Sequence, residues 1–181
     1  MTWDAFHRRG EVLRTVVEVA NSRRDGVLPT ELPGVAETFG DESELVAALQ
    51  LRWHTRLSGQ IERALMEQPV DLEPAVLTAW RRTAAQLAGV RAVLDAQRAE
   101  PVTPEVGEAL ARADRKDWAL LAAMAGRAGS ADPAASRVGR RLEEKARAAY
   151  DPTAAPRPAS TPTPDDRPAS LLGRLKAHLA A

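Results

Sequence analysis

Apolar residues recur every three or four positions through most of residues 2–150, in segments that proline and glycine interrupt. Two of these segments begin with a capping residue followed by proline, at Thr103-Pro104 and at Asp132-Pro133. That combination is typical of helix N-termini. Alternating apolar patterns are scarce, so strands are not expected. The spacing therefore predicts an all-α fold, an antiparallel bundle of four to five helices.

Two details of this bundle stay open at the level of sequence. Residues 26–40 contain two prolines and three glycines between apolar residues, which predicts either a loop that packs across a helix face or a mobile lid over a site. Gly89 either interrupts the third helix or lies within it. Trp3, Trp53, Trp80 and Trp118 fall one to each of the first four helices, and we interpret them as large core residues.

The composition changes after residue 150. The stretch DPTAAPRPASTPTPDDRPA is rich in proline, serine, threonine and alanine, which do not bury a core. We therefore predict a helical bundle domain over residues 1–150, a disordered Pro-rich linker over 151–169, and a short amphipathic helix over 170–181.

The predicted C-terminal helix, SLLGRLKAHLAA, has one apolar face with basic neighbours and no acidic residue. Its candidate binding residues are Leu171, Leu172, Leu175 and Leu179, flanked by Arg174 and Lys176. Twelve residues are too few for a stable isolated helix in water, so this face needs a surface. A groove on a partner protein is the favoured surface. Docking on the protein's own bundle and weak contact with an anionic membrane are the alternatives.

The leading functional hypothesis is accordingly a non-enzymatic adaptor or scaffold protein that binds partners through this tethered helix. The chain has 25 basic and 25 acidic residues, so it lacks the basic excess typical of nucleic-acid binders. A nucleic-acid accessory protein that uses its arginine pairs is a weaker alternative. Only three of the 25 basic residues are lysine, a bias typical of a high-GC bacterium, and a cytoplasmic location is expected.

Several kinds of chemistry lack the residues they need. The chain has no cysteine, which excludes disulfides, thiolate metal sites and cysteine nucleophiles. Its three histidines do not form the Glu-x-x-His pairs of di-iron bundles, and no Gly-rich phosphate-binding loop occurs. No apolar run is long enough for a transmembrane helix. We therefore expect no metal and no cofactor.

One segment carries a second functional hypothesis. In LQLRWHTRLSGQIER, from Leu49 to Arg63, four polar residues are spaced by four and form a ladder beside the apolar stripe: Gln50, His54, Ser58 and Glu62. The ladder is either a hydrogen-bonded boundary strip or the lining of a polar pocket around His54. The second reading makes the bundle a small-ligand-binding protein or an enzyme, with residues 26–40 as its lid.

Overall fold

The computed structural model describes residues 3–129 and 132–151, which form helices joined by turns and short loops, without a strand. The helices of this part are α1 (Trp3–Arg23), α2 (Val35–Thr38), α3 (Glu42–Met66), α4 (Leu72–Gln86), α5 (Ala88–Ala99), α6 (Pro104–Met124) and α7 (Ala135–Ala148). The predicted all-α fold is confirmed. The predicted linker beyond Asp151 and the predicted tail helix lie outside the described residues. Among the helices that are described, none combines the length and apolar character needed to cross a membrane.

The helices α3 and α6 begin where the capping signals predict, whereas α7 begins at Ala135, two residues after the predicted start at Pro133. The Asp41 carboxylate accepts a hydrogen bond of 2.8 Å from the backbone N–H of Glu44 at the start of α3. The Thr103 hydroxyl accepts one of 3.4 Å from Val106 at the start of α6, where Pro104 occupies the first turn. Such side chains satisfy backbone donors that the first helical turn leaves without partners.

The third predicted helix is divided at Leu87 into α4 and α5. Asn21, near the end of α1, supplies the reason, because its Oδ1 accepts hydrogen bonds from the N–H groups of Gly89 (3.0 Å) and Val90 (3.4 Å). A Cβ at Gly89 would overlap the carbonyl of Ala20, so glycine is needed for α1 to approach this closely. A distant side chain thus caps α5, which no local signal in the sequence indicates.

Residues 26–40 pack across the bundle and include the single turn of α2. Val35 and Phe39 are buried in the core. The guanidinium of Arg9 lies 4.5 Å from the centroid of the Phe39 ring and donates to the carbonyl of Thr38, which fixes this segment to α1. In the structure the segment therefore covers part of the core.

The aromatic centre of the core lies between α3 and α4. Trp53 and Trp80 are buried, and their rings meet edge to face with centroids 5.8 Å apart. Tyr150 packs edge-on against Trp80, and its hydroxyl donates to the Ala84 carbonyl. Trp118 is only partly buried, at the margin of the core. Two of these three tryptophans, Trp53 and Trp80, thus occupy the core as predicted. The side chain of Trp3 lies outside the part of the chain that the structure describes.

An ion-pair cluster joins α4 to the C-terminal helices. The carboxylate of Glu73 accepts hydrogen bonds of 2.6 Å from Lys145 Nζ on α7 and from Arg127 Nε after α6. The pKa of Glu73 is lowered, first by the hydrogen bond from Lys145 and then by Arg127, while burial opposes the shift. Glu73 therefore contributes to stability most when it is ionised.

Candidate functional site

The four polar residues of the α3 ladder lie in different surroundings. Gln50 is buried, His54 and Ser58 are partly exposed, and Glu62 is exposed. Gln50 and His54 line a cavity between α3 and α6, whereas Ser58 and Glu62 do not. Two of the four predicted ladder residues, Gln50 and His54, therefore lie at a cavity. Asp117 on α6 forms hydrogen bonds with both.

His54 and Asp117 form a hydrogen-bonded pair at one end of this cavity. Nδ1 of His54 lies 2.6 Å from Oδ1 of Asp117, and Nε2 of Gln50 donates to the other carboxylate oxygen at 3.2 Å. The side chain of Asp117 is 7% exposed and that of His54 is 42% exposed. Burial raises the pKa of the Asp117 carboxyl, and the hydrogen bond from His54 opposes that rise.

This pairing determines which imidazole nitrogen can meet a ligand. Because Nδ1 is engaged by Asp117, Nε2 on the opposite edge of the ring is the polar atom that remains for a molecule in the cavity. A histidine oriented in this way by a carboxylate binds polar groups in a fixed direction, and it is also the arrangement that general bases use.

The cavity itself has a volume of about 350 Å³ and is open to solvent on one side. Its walls are mainly apolar side chains of the two helices, namely Val46, Ala47 and Leu51 on α3 and Val106, Ala109 and Leu110 on α6. Lys116 joins the pair formed by His54 and Asp117 at the polar end. An apolar cleft with a few convergent polar groups is typical of small-molecule sites.

Behind the cavity, the polar contacts continue into the core through a series of charged residues. Arg98 on α5 donates to Oε1 of Gln50 at 3.2 Å and forms a two-point contact with Asp114, with nitrogen–oxygen distances of 2.6 and 2.9 Å. Its NH1 lies 3.5 Å from Asp95, which accepts two hydrogen bonds of 2.9 Å from Arg147 on α7. These contacts connect α3 to α7 through α5 and α6.

This series of polar contacts ends at Glu143, whose side chain is almost enclosed. Its carboxylate accepts from Arg91 at 2.6 Å, from Trp118 Nε1 at 2.6 Å and from Arg147 at 2.9 Å. Burial raises the pKa of Glu143, and the charge of Arg91 opposes that rise. We call the connected set the polar network: His54, Gln50, Arg91, Asp95, Arg98, Asp114, Asp117, Trp118, Glu143 and Arg147.

Sequence reasoning missed the partners of His54 and Gln50, although a signal for them exists. Asp117 follows Leu110 by seven residues and precedes Leu121 by four, so a carboxylate occupies a position of the apolar stripe of α6. Arg91 on α5 and Glu143 on α7 occupy equivalent positions in their helices. Charged residues are rarely buried without partners, so three of them on apolar stripes predict a buried network.

Other candidate sites from the sequence find less support. No group of three or more potential metal ligands occurs within residues 3–129 and 132–151. In three of the pairs of adjacent arginines, one arginine contacts a glutamate. These contacts are Arg9 with Glu44, Arg23 with Glu31, and Arg140 with Glu144. The proposed partner-binding residues of the tail, from Leu171 to Leu179, lie outside the described residues, and their role stays a prediction.

No protein-family model, curated protein or solved structure matches this chain.

Proposed function

We propose that the protein binds a small molecule with an apolar body in the cavity between α3 and α6. The observation that carries the proposal is an apolar cleft that ends at the half-exposed His54, which a buried carboxylate holds in place. The apolar walls provide affinity by removing ligand surface from water, and the fixed imidazole provides orientation.

A second groove helps to explain why the first is favoured. It lies between α1 and α3, has a volume of about 480 Å³, and shares Ala47 and Leu51 with the first. Its charged lining includes the partly exposed Arg9 and the exposed Glu44, which pair with each other. It has no buried polar group comparable to Asp117, so it offers area for contact but little directional recognition.

The test is a screen of small amphipathic compounds against the full-length protein by two-dimensional NMR. Saturable shift changes that cluster on α3 and α6 around His54 are expected for compounds that bind. Saturable changes confined to other helices, or no binding by any compound, would contradict the proposal.

Two alanines of α6 provide a matched pair of variants. Ala109 lines the cavity, whereas Ala111 is exposed two residues further along the same helix and is not part of the lining. Ala109→Phe should obstruct the cleft and weaken binding by at least about tenfold, since a lost fit of about 1.4 kcal/mol has that effect. Ala111→Phe should leave the affinity unchanged. Equal affinities for the two variants would show that the cleft is not the binding site.

A further inference from the structure

The polar end of the cavity has an unequal supply of donors and acceptors. Asp117 is the acidic residue in the lining, but its two oxygens already accept from His54 and Gln50 and the side chain is almost enclosed. Because the side chain is almost enclosed, a cationic or donor group of a ligand has little access to these oxygens. The acceptor side of the site is therefore largely used within the protein.

The charges of the polar network do not balance among its own residues. The network contains four carboxylates, Asp95, Asp114, Asp117 and Glu143, and three guanidinium groups, Arg91, Arg98 and Arg147. One negative charge is thus unbalanced when all four carboxylates are ionised. Uncompensated charge in a protein interior is costly, which favours a cation beside the network.

The pair formed by His54 and Asp117 is the part of the network nearest to solvent at the cavity. Nδ1 of His54 faces Oδ1 of Asp117, so Nε2 is the ring nitrogen that a ligand in the cavity can contact. His54 therefore presents Nε2 to the cavity, and this nitrogen donates a hydrogen bond whenever it carries a hydrogen.

Lys116 adds a positive charge to the same end. Its side chain is exposed, lines the cavity, and forms no ion pair with any residue in the described part of the chain. The acidic residues closest to it along α6, Asp114 and Asp117, are already bound to Arg98 and His54. The cavity thus ends in the imidazole of His54 and the positively charged ammonium group of Lys116.

We propose that the ligand is an apolar monocarboxylate whose head group accepts hydrogen bonds from Nε2 of His54 and from Nζ of Lys116. This inference rests on the proposed binding function and specifies its ligand class. A cavity of about 350 Å³ holds about 12 non-hydrogen atoms when each occupies a volume similar to that of a water molecule. A straight-chain acid of about ten carbons fits this volume.

The test compares ligands that share a chain and differ in the head group. Decanoate, 1-decanol and decylamine are titrated below their aggregation concentrations into the full-length protein at neutral pH and low ionic strength, and NMR shifts locate each binding event. Decanoate should bind at least about tenfold more tightly than decanol, because a charge-assisted hydrogen bond contributes about 1.5–3 kcal/mol. Decylamine should bind most weakly.

Two neighbouring cations of α6 give a matched control. Lys116→Gln should reduce the affinity for decanoate several-fold and leave that for decanol unchanged. Arg115, which is exposed and does not line the cavity, should tolerate Arg115→Gln without effect on either ligand. His54→Asn should remove most of the preference for the acid over the alcohol.

The outcomes separate the two proposals. If decanol or decylamine binds in the cavity as tightly as decanoate, the inferred head group is wrong while the binding function stands. The same conclusion follows if Lys116→Gln and Arg115→Gln behave alike. If none of the three compounds binds between α3 and α6, both proposals are contradicted.

Discussion

Replacing Arg91 by methionine is the sharpest test of the polar network. The Arg91 guanidinium is 7% exposed, donates to Glu143 at 2.6 Å, and lies 4.6 Å from the centroid of the Trp53 ring. Arg91→Met keeps the apolar stem and removes the charge, so Glu143 stays buried with one cation fewer. Removing one partner of a buried ion pair typically destabilises a protein by about 3–5 kcal/mol.

The magnitude should fall at the lower end of that range. Glu143 keeps its hydrogen bonds from Arg147 and Trp118 after the change. Moreover, Nε of Arg91 has no hydrogen-bond partner although it lies 3.1 Å from Asp95, so only an electrostatic contact is lost there. We expect a loss of about 3 kcal/mol, which at a slope of about 2 kcal/mol/M lowers the urea midpoint by about 1.5 M.

The assay is equilibrium urea unfolding followed by tryptophan fluorescence and by circular dichroism. Arg140→Met is the matched control, because it breaks the exposed contact between Arg140 and Glu144 and should cost less than about 0.5 kcal/mol. Glu143→Gln should cost less in the Arg91→Met background than alone, with a coupling of about 1–3 kcal/mol. A loss below about 1 kcal/mol for Arg91→Met, or additive effects of the two changes, would refute the reasoning.

Three further predictions address other parts of the molecule. Gly139→Ala should destabilise the fold by at least about 2 kcal/mol in the same unfolding assay, because the added Cβ would overlap the Trp118 carbonyl. Gly59→Ala, in open space on α3, should instead stabilise the fold by about 0.5–1 kcal/mol. Equal effects of the two substitutions would contradict the close contact at Gly139. The hydrogen bond from Lys145 lowers the pKa of Glu73, so the stabilisation from ionised Glu73 is complete at a pH above its unfolded-state pKa near 4.5 and is lost as the pH falls through its lower folded-state pKa. The difference in unfolding free energy between the native protein and Glu73→Gln should shrink over that pH range. A difference that does not depend on pH would contradict this prediction. Deleting residues 170–181 should remove co-purified partner proteins without changing the unfolding midpoint, as expected for the predicted partner helix, and unchanged partners would contradict its role.

The parts of the fold that depend on local signals could be predicted from the sequence. The caps at Asp41 and Thr103 are local, since each side chain bonds to a backbone group three residues away. The division at Leu87 could not be predicted in the same way, because the groups that cap α5 belong to Asn21, more than 60 residues earlier. Local patterns identify where helices begin, whereas contacts between helices decide where a long helix is divided.

In the candidate site, too, some features could be predicted from local sequence and others could not. The spacing of Gln50 and His54 places them together at the margin of one helix, and in the structure both line the same cavity. The spacing also suggested that the ladder residues satisfy one another, but the partner of both is Asp117, on a helix more than 60 residues away. Which helix lies beside α3 is decided by the packing of the whole bundle, and a single helical wheel does not contain that information.

The place where the polar network reaches solvent argues for recognition as its role. A buried ionic network is weak evidence for stability, because desolvating its charges costs about as much as their attraction returns. Asp95 and Arg147 are nearly as exposed as His54, but their polar atoms are bonded to each other. At His54, by contrast, the network ends at an apolar cavity, with Nδ1 engaged by Asp117 and Nε2 on the free edge of the ring. A core built only for stability would close that end with an apolar side chain, so a half-exposed imidazole held by a buried carboxylate is better explained by a ligand that binds to it.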